Sequence, residues 1–419
     1  MNIKTRLIVM NFLQFFAWGS WLISLGSYLG GNLGFGGVQI GSFYATMGIA
    51  SLFMPALLGI VADRWIPAQK VLGLAHFTTA LFLIIAATQT SYTPLYICMM
   101  LAVMFYMPTI ALSNSVAFNA LETNNLDTVK SFPPIRFWGT VGFIVAMWIV
   151  DLTGFKSNNM QFYLSAATSI LLGFYAFTLP HCPIAPKKGS GSIIDLLGFR
   201  AFTLFKDSRM AIFFIFSMLL GAALQITNGF GAPFLESFQS VPEFADSFGV
   251  KHPVILISLS QISETFCILL IPFFLKRYGI KKVMLISMFA WVLRFALFGL
   301  GDPGSGLWML VLSMLVYGVA FDFFNISGAL FVDQETDISI RSSAQGLFML
   351  MTNGLGATFG SLAAGAVVSH YVPDITKNEG WSSAWFVFAA YALVVAILFI
   401  FLFQYKHVRE EKEEIKQVI

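Results

Sequence analysis

Charge is scarce in this chain. Only 11% of its 419 residues are Asp, Glu, Lys or Arg, whereas 57% are hydrophobic, and the mean hydropathy is +0.78. Soluble domains carry roughly 25% charged residues, so a water-exposed globule is excluded. Cysteine is scarcer still. Cys98, Cys182 and Cys267 are scattered without a CxxC pair, which leaves neither a disulfide framework nor a thiolate metal site. His181, His370 and His407 fall at the ends of apolar runs, His76 lies inside one and His252 flanks another, with no metal-ligand spacing among them. HExxH, GxSxG and GxxxxGK[ST] are all missing, so no metalloprotease, serine-hydrolase or Walker-type ATP site is expected. The chain is read as no enzyme, with no metal and no cofactor, and nothing in it points to nucleic acid.

Long apolar runs are what it has. They recur along the whole length, each about 18 to 25 residues, enough to cross a roughly 30 Å hydrocarbon core as helices. The spacing predicts an all-α integral membrane protein with about twelve spans, near 7–29, 38–62, 71–89, 94–116, 133–151, 162–180, 210–235, 253–275, 283–300, 307–330, 342–370 and 382–405. The first run is longer than a signal-peptide core and lacks a convincing cleavage site, so it reads as a retained helix. Of the 24 Lys and Arg, only Lys156, Lys251 and Lys377 fall in connections on the side opposite the N-terminus, and only Arg136 and Arg294 inside spans. The rest lie on the N-terminal side, which predicts both termini in the cytoplasm.

The longest hydrophilic connection, 181–209, divides the chain almost evenly. The expected organisation is a six-helix bundle over 1–180, a cytoplasmic loop over 181–209, a second bundle over 210–405 and a cytoplasmic tail over 406–419, read as a solvated, frayed helix end. The halves echo each other: "GIVADRWIPAQKV" follows the second span and "PFFLKRYGIKKV" the eighth. Such a repeat suits a two-bundle transporter with its substrate site between the bundles near the midplane; a channel or receptor needs no such repeat. Gly59, Asp63 and Arg64 resemble the G-x-x-x-D-R loop signature of the major facilitator superfamily, although the second copy lacks the Gly and the Asp. The plainer alternative, basic loops that only set topology, needs no superfamily.

Four charged residues lie inside spans: Arg136, Glu264, Arg294 and Asp322. Such residues face the protein interior or a water-filled cavity and mark transport routes; buried ion pairs that only fix packing are the alternative. Arg294, in "FAWVLRFALF", has apolar and aromatic sequence neighbours, and packing and function both stay open for it. Glu264 and Asp322 keep polar company. Residues three or four apart share a helix face. That spacing joins Gln261 to Glu264, Gln225 to Asn228, Tyr317 to Phe321 beside Asp322 and Asn325, and Arg136 to Thr140 and Phe143. Pro133 and Pro134 suit the start of that last helix. Amides, a hydroxyl, aromatic rings and balanced charge fit a neutral solute with many hydrogen-bonding groups. A phosphorylated substrate would want surplus cations. The two carboxylates are candidates to carry a proton, with no sequence ground for choosing between them.

The stretches "FPPIRFWGTVGF", "LQITNGFG", "SQISETF", "YGVAFDFFNISG" and "SAQGLFMLMTNG" resemble the nucleoside:proton symporters of enteric bacteria, the nucleoside-permease and xanthosine-permease group. The resemblance covers nearly the whole chain. It implies a multi-pass permease of the bacterial inner membrane that imports nucleosides with protons by alternating access. It also implies substrate contacts at Arg136, Thr140, Phe143, Gln225, Asn228, Gln261, Glu264, Tyr317, Phe321 and Asp322, with Asp322 and Glu264 as proton-coupling residues. Some relatives carry an acidic residue where this chain has Ala223, which bears on substrate breadth. From residue types alone, a proton-coupled oligosaccharide or other neutral-solute symporter stays the alternative. The expected partners are nucleoside, protons and the lipid bilayer. A monomer is compatible with all of this, and oligomeric state is left open. Asn11, Gln14 and Trp18 share a face of the first span, and Gln345 and Thr352 lie in the eleventh; they either line the cavity or pack. Gly26 and Gly30, and Gly356 and Gly360, are spaced for close helix contact.

Overall fold

The computed structural model describes residues 2–184, 199–337 and 340–405; the tail over 406–419 and the middle of the central loop lie outside the described residues. All regular structure among the described residues is helical. The first bundle comprises α1 (Ile3–Gly19), α2 (Gly37–Arg64), α3 (Ala68–Ala87), α4 (Tyr92–Thr123), α5 (Thr128–Leu152) and α6 (Met160–Thr178). The second opens with α7 (Ser208–Ser237), then a run from Pro253 to Leu300 that Gly279 divides into α8 (253–278) and α9 (280–300). It closes with α10 (Leu307–Glu335), α11 (Arg341–Met349, continued by 350–371) and α12 (Trp381–Leu402). Helices among the described residues cover the twelve segments expected from hydropathy, the first only in part, and fall into two groups of six.

Local chemistry explains several boundaries and corrects others. Asp127 caps α5, its carboxylate accepting from the Lys130 amide at 3.2 Å. Pro133 and Pro134 therefore sit inside α5 rather than at its start. Each proline leaves the carbonyl four residues back without its helical donor, and those carbonyls fall in the first turns, at the helix mouth. The first span is not one helix: α1 ends at Gly19, and the chain resumes as a short helix at Leu25–Ser27 and a π turn at Tyr28–Asn32. Between α8 and α9 there is no loop. Gly279 alone, at φ +75°, reverses the chain, a conformation a Cβ would strain. A π segment, Leu350–Gly356, interrupts α11.

The bundles meet most closely at the face away from the chain termini, here the far face. Gly26, beyond α1, lies so near the Gly229 carbonyl of α7 that a Cβ would collide with it, and Gly41 of α2 stands likewise against Ser361 of α11. Gly30 abuts Ile375, Gly356 abuts Gly221 and Gly360 abuts Ala222, so all four glycines singled out by spacing make close contacts. Trp148 of α5 donates to Ser258 of α8 at 2.8 Å. At the far end of α5, the fully buried Asp151 carboxylate receives Lys156 at 2.8 Å, the His252 ring at 3.2 Å and the Ile255 amide of α8 at 2.9 Å. Toward the terminal face the bundles separate. Beyond Leu52, which packs on Gly354, a Cβ built on Gly59, on the same face of α2 as Gly41, would meet nothing within 4 Å. Lys156, Lys251 and Lys377 line one far-face depression of about 700 Å³, so the three lysines set apart by the span count do share a face.

Candidate functional site

The polar residues of the spans converge near the middle of the helices. At 1.5 Å rise per residue, Arg136, Gln225, Glu264 and Asp322 each lie roughly 17–24 Å from the far ends of their helices. That depth is beneath the glycine crossings that close the far face.

From the first bundle, α5 presents Arg136, Thr140 and Phe143. The Arg136 guanidinium lies 3.8 Å from the centre of the Phe15 ring on α1, a cation–π seat for a charge deep in the bundle. Trp18 packs edge-on against Phe143 with ring centres 6.1 Å apart, and against Tyr106 at 5.9 Å. A buried network stands behind this wall. Tyr106 donates to the Gln14 carbonyl at 2.6 Å, the Gln14 amide donates to Thr109 at 2.7 Å, and His76 Nε2 lies 2.8 Å from the Gln14 side-chain oxygen. Asn11 and Gln14 are fully buried; Asn11 donates to the Leu7 carbonyl, and its side-chain oxygen has no protein partner. Trp18 stays half-exposed.

From the second bundle, three helices contribute. On α7, Gln225 is buried and its side-chain oxygen has no protein partner; Asn228 follows one turn on, half-buried. On α8, the Gln261 side-chain oxygen is likewise without a partner, and Glu264 is half-buried. On α10, the Tyr317 and Phe321 rings lie parallel, 5° between planes and 5.6 Å between centres. Asp322 is 5% exposed, and its Oδ2 has no partner. Glu264 lies within the electrostatic reach of Arg136 across the bundles, and of Asp322 and Tyr317 within its own. The structure thus brings both carboxylates, the aromatic pair and Arg136 together. Thr140 and Asn228 make no side-chain hydrogen bond among the described residues and take their place from their helix faces. Gln345 donates to the Ala329 carbonyl at 2.7 Å, whereas Thr352 borders a small pocket with Phe321 and Asn325.

The sequence places Arg294 among aromatic and apolar neighbours, and the structure adds polar ones. Arg294 is 1% exposed and donates to the Ser313 carbonyl at 2.7 Å and to the Ser260 hydroxyl at 3.3 Å. Asp151 and Glu236 escaped the sequence reading. Each stands at the last turn of its helix, where a lone acidic residue looks like a solvated end; Asp151 is met there by Lys156 and, from the other bundle, by His252 and Ile255.

Three buried acceptors, on α7, α8 and α10, have no protein partner among the described residues, and the same helices and α5 carry aromatic rings and a guanidinium. A buried acceptor left unsatisfied costs about 1–3 kcal/mol, so the site suits a ligand that donates several hydrogen bonds and stacks. Comparison with known proteins bears on which ligand. A family model described as nucleoside H+ symporter matches residues 1–408. The chain is 52% identical over 410 residues to the nucleoside permease NupG of Escherichia coli (strain K12), covering 98% of each. It is 53% identical over 417 residues to the xanthosine permease of the same organism, covering 99% of each. The crystal structure of the nucleoside transporter NupG superposes with a TM-score of 0.91 at 52% identity, covering 97% of this chain and 100% of that one.

Proposed function

The chain belongs to the nucleoside H+ symporter family, a transporter of nucleosides by proton symport, and we propose that it holds the nucleoside between the bundles at mid-depth. Family membership decides between nucleoside and oligosaccharide, which residue types left open. Arg136, Thr140 and Phe143 form one wall; Gln225, Asn228, Gln261, Glu264, Tyr317, Phe321 and Asp322 form the other. The single observation that carries this reading is the set of unpartnered acceptors on Gln225, Gln261 and Asp322. A nucleoside supplies ribose hydroxyls and base N–H groups to them, and its planar base fits the aromatic wall. Asp322 and Glu264 are the groups that take the proton.

Both termini lie in the cytoplasm of a bacterium, with the protein in its inner membrane. The far face is then periplasmic, and bundles closed there and parted at the terminal face describe an inward-facing state. The units that rock are residues 1–180 and 210–405, joined by the loop 181–209. All the proposed contacts come from one chain, so a monomer suffices.

The test is uptake and binding. Labelled uridine should accumulate in vesicles when a pH gradient is imposed, and a protonophore should abolish the accumulation. Excess nucleosides should compete and disaccharides should not. Gln225→Ala, Asn228→Ala and Gln261→Ala should each weaken uridine binding about fivefold to a hundredfold, the equivalent of one hydrogen bond to a desolvated ligand, with unchanged insertion. Wild-type affinity in all three variants would move the site elsewhere.

A further inference from the structure

Arg294 is a formal cation buried to 1% exposure in the second bundle. A charge at that depth costs several kcal/mol or more unless something offsets it. Among the described residues it makes no salt bridge, and its Nε has no partner. The guanidinium is held by rings and by neutral oxygens. It lies 4.7 Å from the centre of the Tyr317 ring and 5.4 Å from that of Phe298. Its NH1 donates to the Ser313 carbonyl at 2.7 Å, both NH1 and NH2 reach the Ser260 hydroxyl at 3.3 Å, and Ser313 Oγ donates back to the Arg294 carbonyl at 3.0 Å.

Those partners sit on the two helices that carry the carboxylates. Ser260 is one helical turn before Glu264 on α8, and Ser313 is one turn before Tyr317 on α10. Tyr317 in turn stacks on Phe321 and lies in the field of both Glu264 and Asp322. Arg294 therefore fastens α8 to α10 directly behind the aromatic pair, one ring away from the carboxylates.

We propose that Arg294 is a positioning residue for proton coupling. It is the fixed cation that sets the spacing of the Glu264–Asp322 pair and lets that pair release its proton while the site is open and hydrated. Packing alone would be served by an uncharged side chain of the same size, and the cage of rings supplies cation–π attraction to a charge rather than to a neutral group. The groups facing the carboxylates fit this charge balance. They are Arg136 from α5, Cys267 from α8 and Tyr317 from α10, with Arg294 of α9 standing behind the Tyr317 ring. In α7 and α11, charged or titratable residues stand only near the helix ends: Arg209, Glu236, Arg341, His370 and Tyr371. The inference rests on the proposed role of Glu264 and Asp322.

The experiment compares Arg294→Gln and Arg294→Lys by the pH profile of gradient-driven uridine uptake and by uridine affinity. Removing the fixed cation makes the carboxylates hold their protons more firmly. Arg294→Gln should therefore move the half-point of uptake to higher pH, by on the order of one pH unit. Arg294→Lys keeps the charge but loses the planar fork, so it should keep the profile and bind uridine several-fold more weakly. A wild-type profile in Arg294→Gln overturns the proposal, as does an equal shift in both variants. Should Arg294→Gln not insert, the pair Arg294→Gln/Asp322→Asn restores charge balance and should insert; failure of that double variant leaves Arg294 a packing residue. If Asp322→Asn and Glu264→Gln both keep gradient-driven accumulation, the carboxylate assignment has failed. If they lose it while Arg294→Gln keeps its profile, only the present inference has.

Discussion

Asp322 is the residue at which burial and chemistry conflict most plainly. It lies mid-helix, 5% exposed, with one oxygen unpartnered and Glu264 within its field. Two carboxylates so placed do not both ionise cheaply in a closed, dry site, whereas an open hydrated cavity tolerates them. In the proposed mechanism protonation and closure are thereby linked, and a nucleoside that donates hydrogen bonds to the same oxygens joins the linkage. Asp322→Asn keeps size and hydrogen bonding but not ionisation. It should abolish accumulation driven by a pH gradient while sparing equilibrative counterflow, and Glu264→Gln tested in the same way assigns the second carboxylate. If Asp322 only holds substrate, affinity falls and the residual uptake stays pH-driven. Wild-type accumulation in both variants would return the pair to a packing role. The pairing of Gln225 with Asn228 and of Gln261 with Glu264 was legible in the sequence because three- and four-residue spacing fixes a shared face. That Arg136 lies in the field of Glu264 was not, because they lie on helices of different bundles.

At the scale of elements, α2 and α11 form a crossing that must part and re-form if the far face opens. Gly41 leaves no room for a side chain there: a Cβ would enter the Ser361 carbonyl and stand 2.9 Å from the Gly365 Cα. Gly41→Leu should hold the crossing apart. Uptake should fall at least tenfold, corresponding to a destabilisation of the closed crossing by about 1.4 kcal/mol or more. In a background with Cys98, Cys182 and Cys267 changed to Ser, Thr358→Cys should then react with a membrane-impermeant thiol reagent from the far side. Normal uptake with no gain in labelling would show that the crossing does not gate. The sequence analysis flagged four glycines at four-residue spacing but passed over Gly41, which has Gly37 at that same spacing, and Gly229, which has no glycine four residues away and so carries no spacing signal. Asp151 was hidden for a related reason: its partners His252 and Ile255 are remote in sequence.

For the whole molecule, the asymmetry of basic residues makes the sharpest statement. Reporter fusions at Lys188 and after Lys406 should report cytoplasm, and fusions near Glu243 and Thr376 should report periplasm. A cytoplasmic signal at Glu243 would overturn both the orientation and the even number of spans. Under the proposed orientation the closed face is periplasmic, and solvent from the cytoplasm should reach the parted bundles in the state described here.

Hydropathy over windows of helical length determined the spans, the even count and the class, because burial in hydrocarbon is a property of each segment by itself. Polar spacing determined which residues of a helix face together, since an α-helix has a fixed period. The tertiary structure decided what depends on two helices at once. It broke the first span at Gly19, reversed the chain at Gly279, drew α5 back past its prolines and put Asp151 into the closed face. It also set Arg294 between Ser260 and Ser313, where a residue with apolar sequence neighbours meets oxygens from two other helices. A charge buried in a bundle is placed by the partners it finds across space, and one-dimensional spacing carries no record of them.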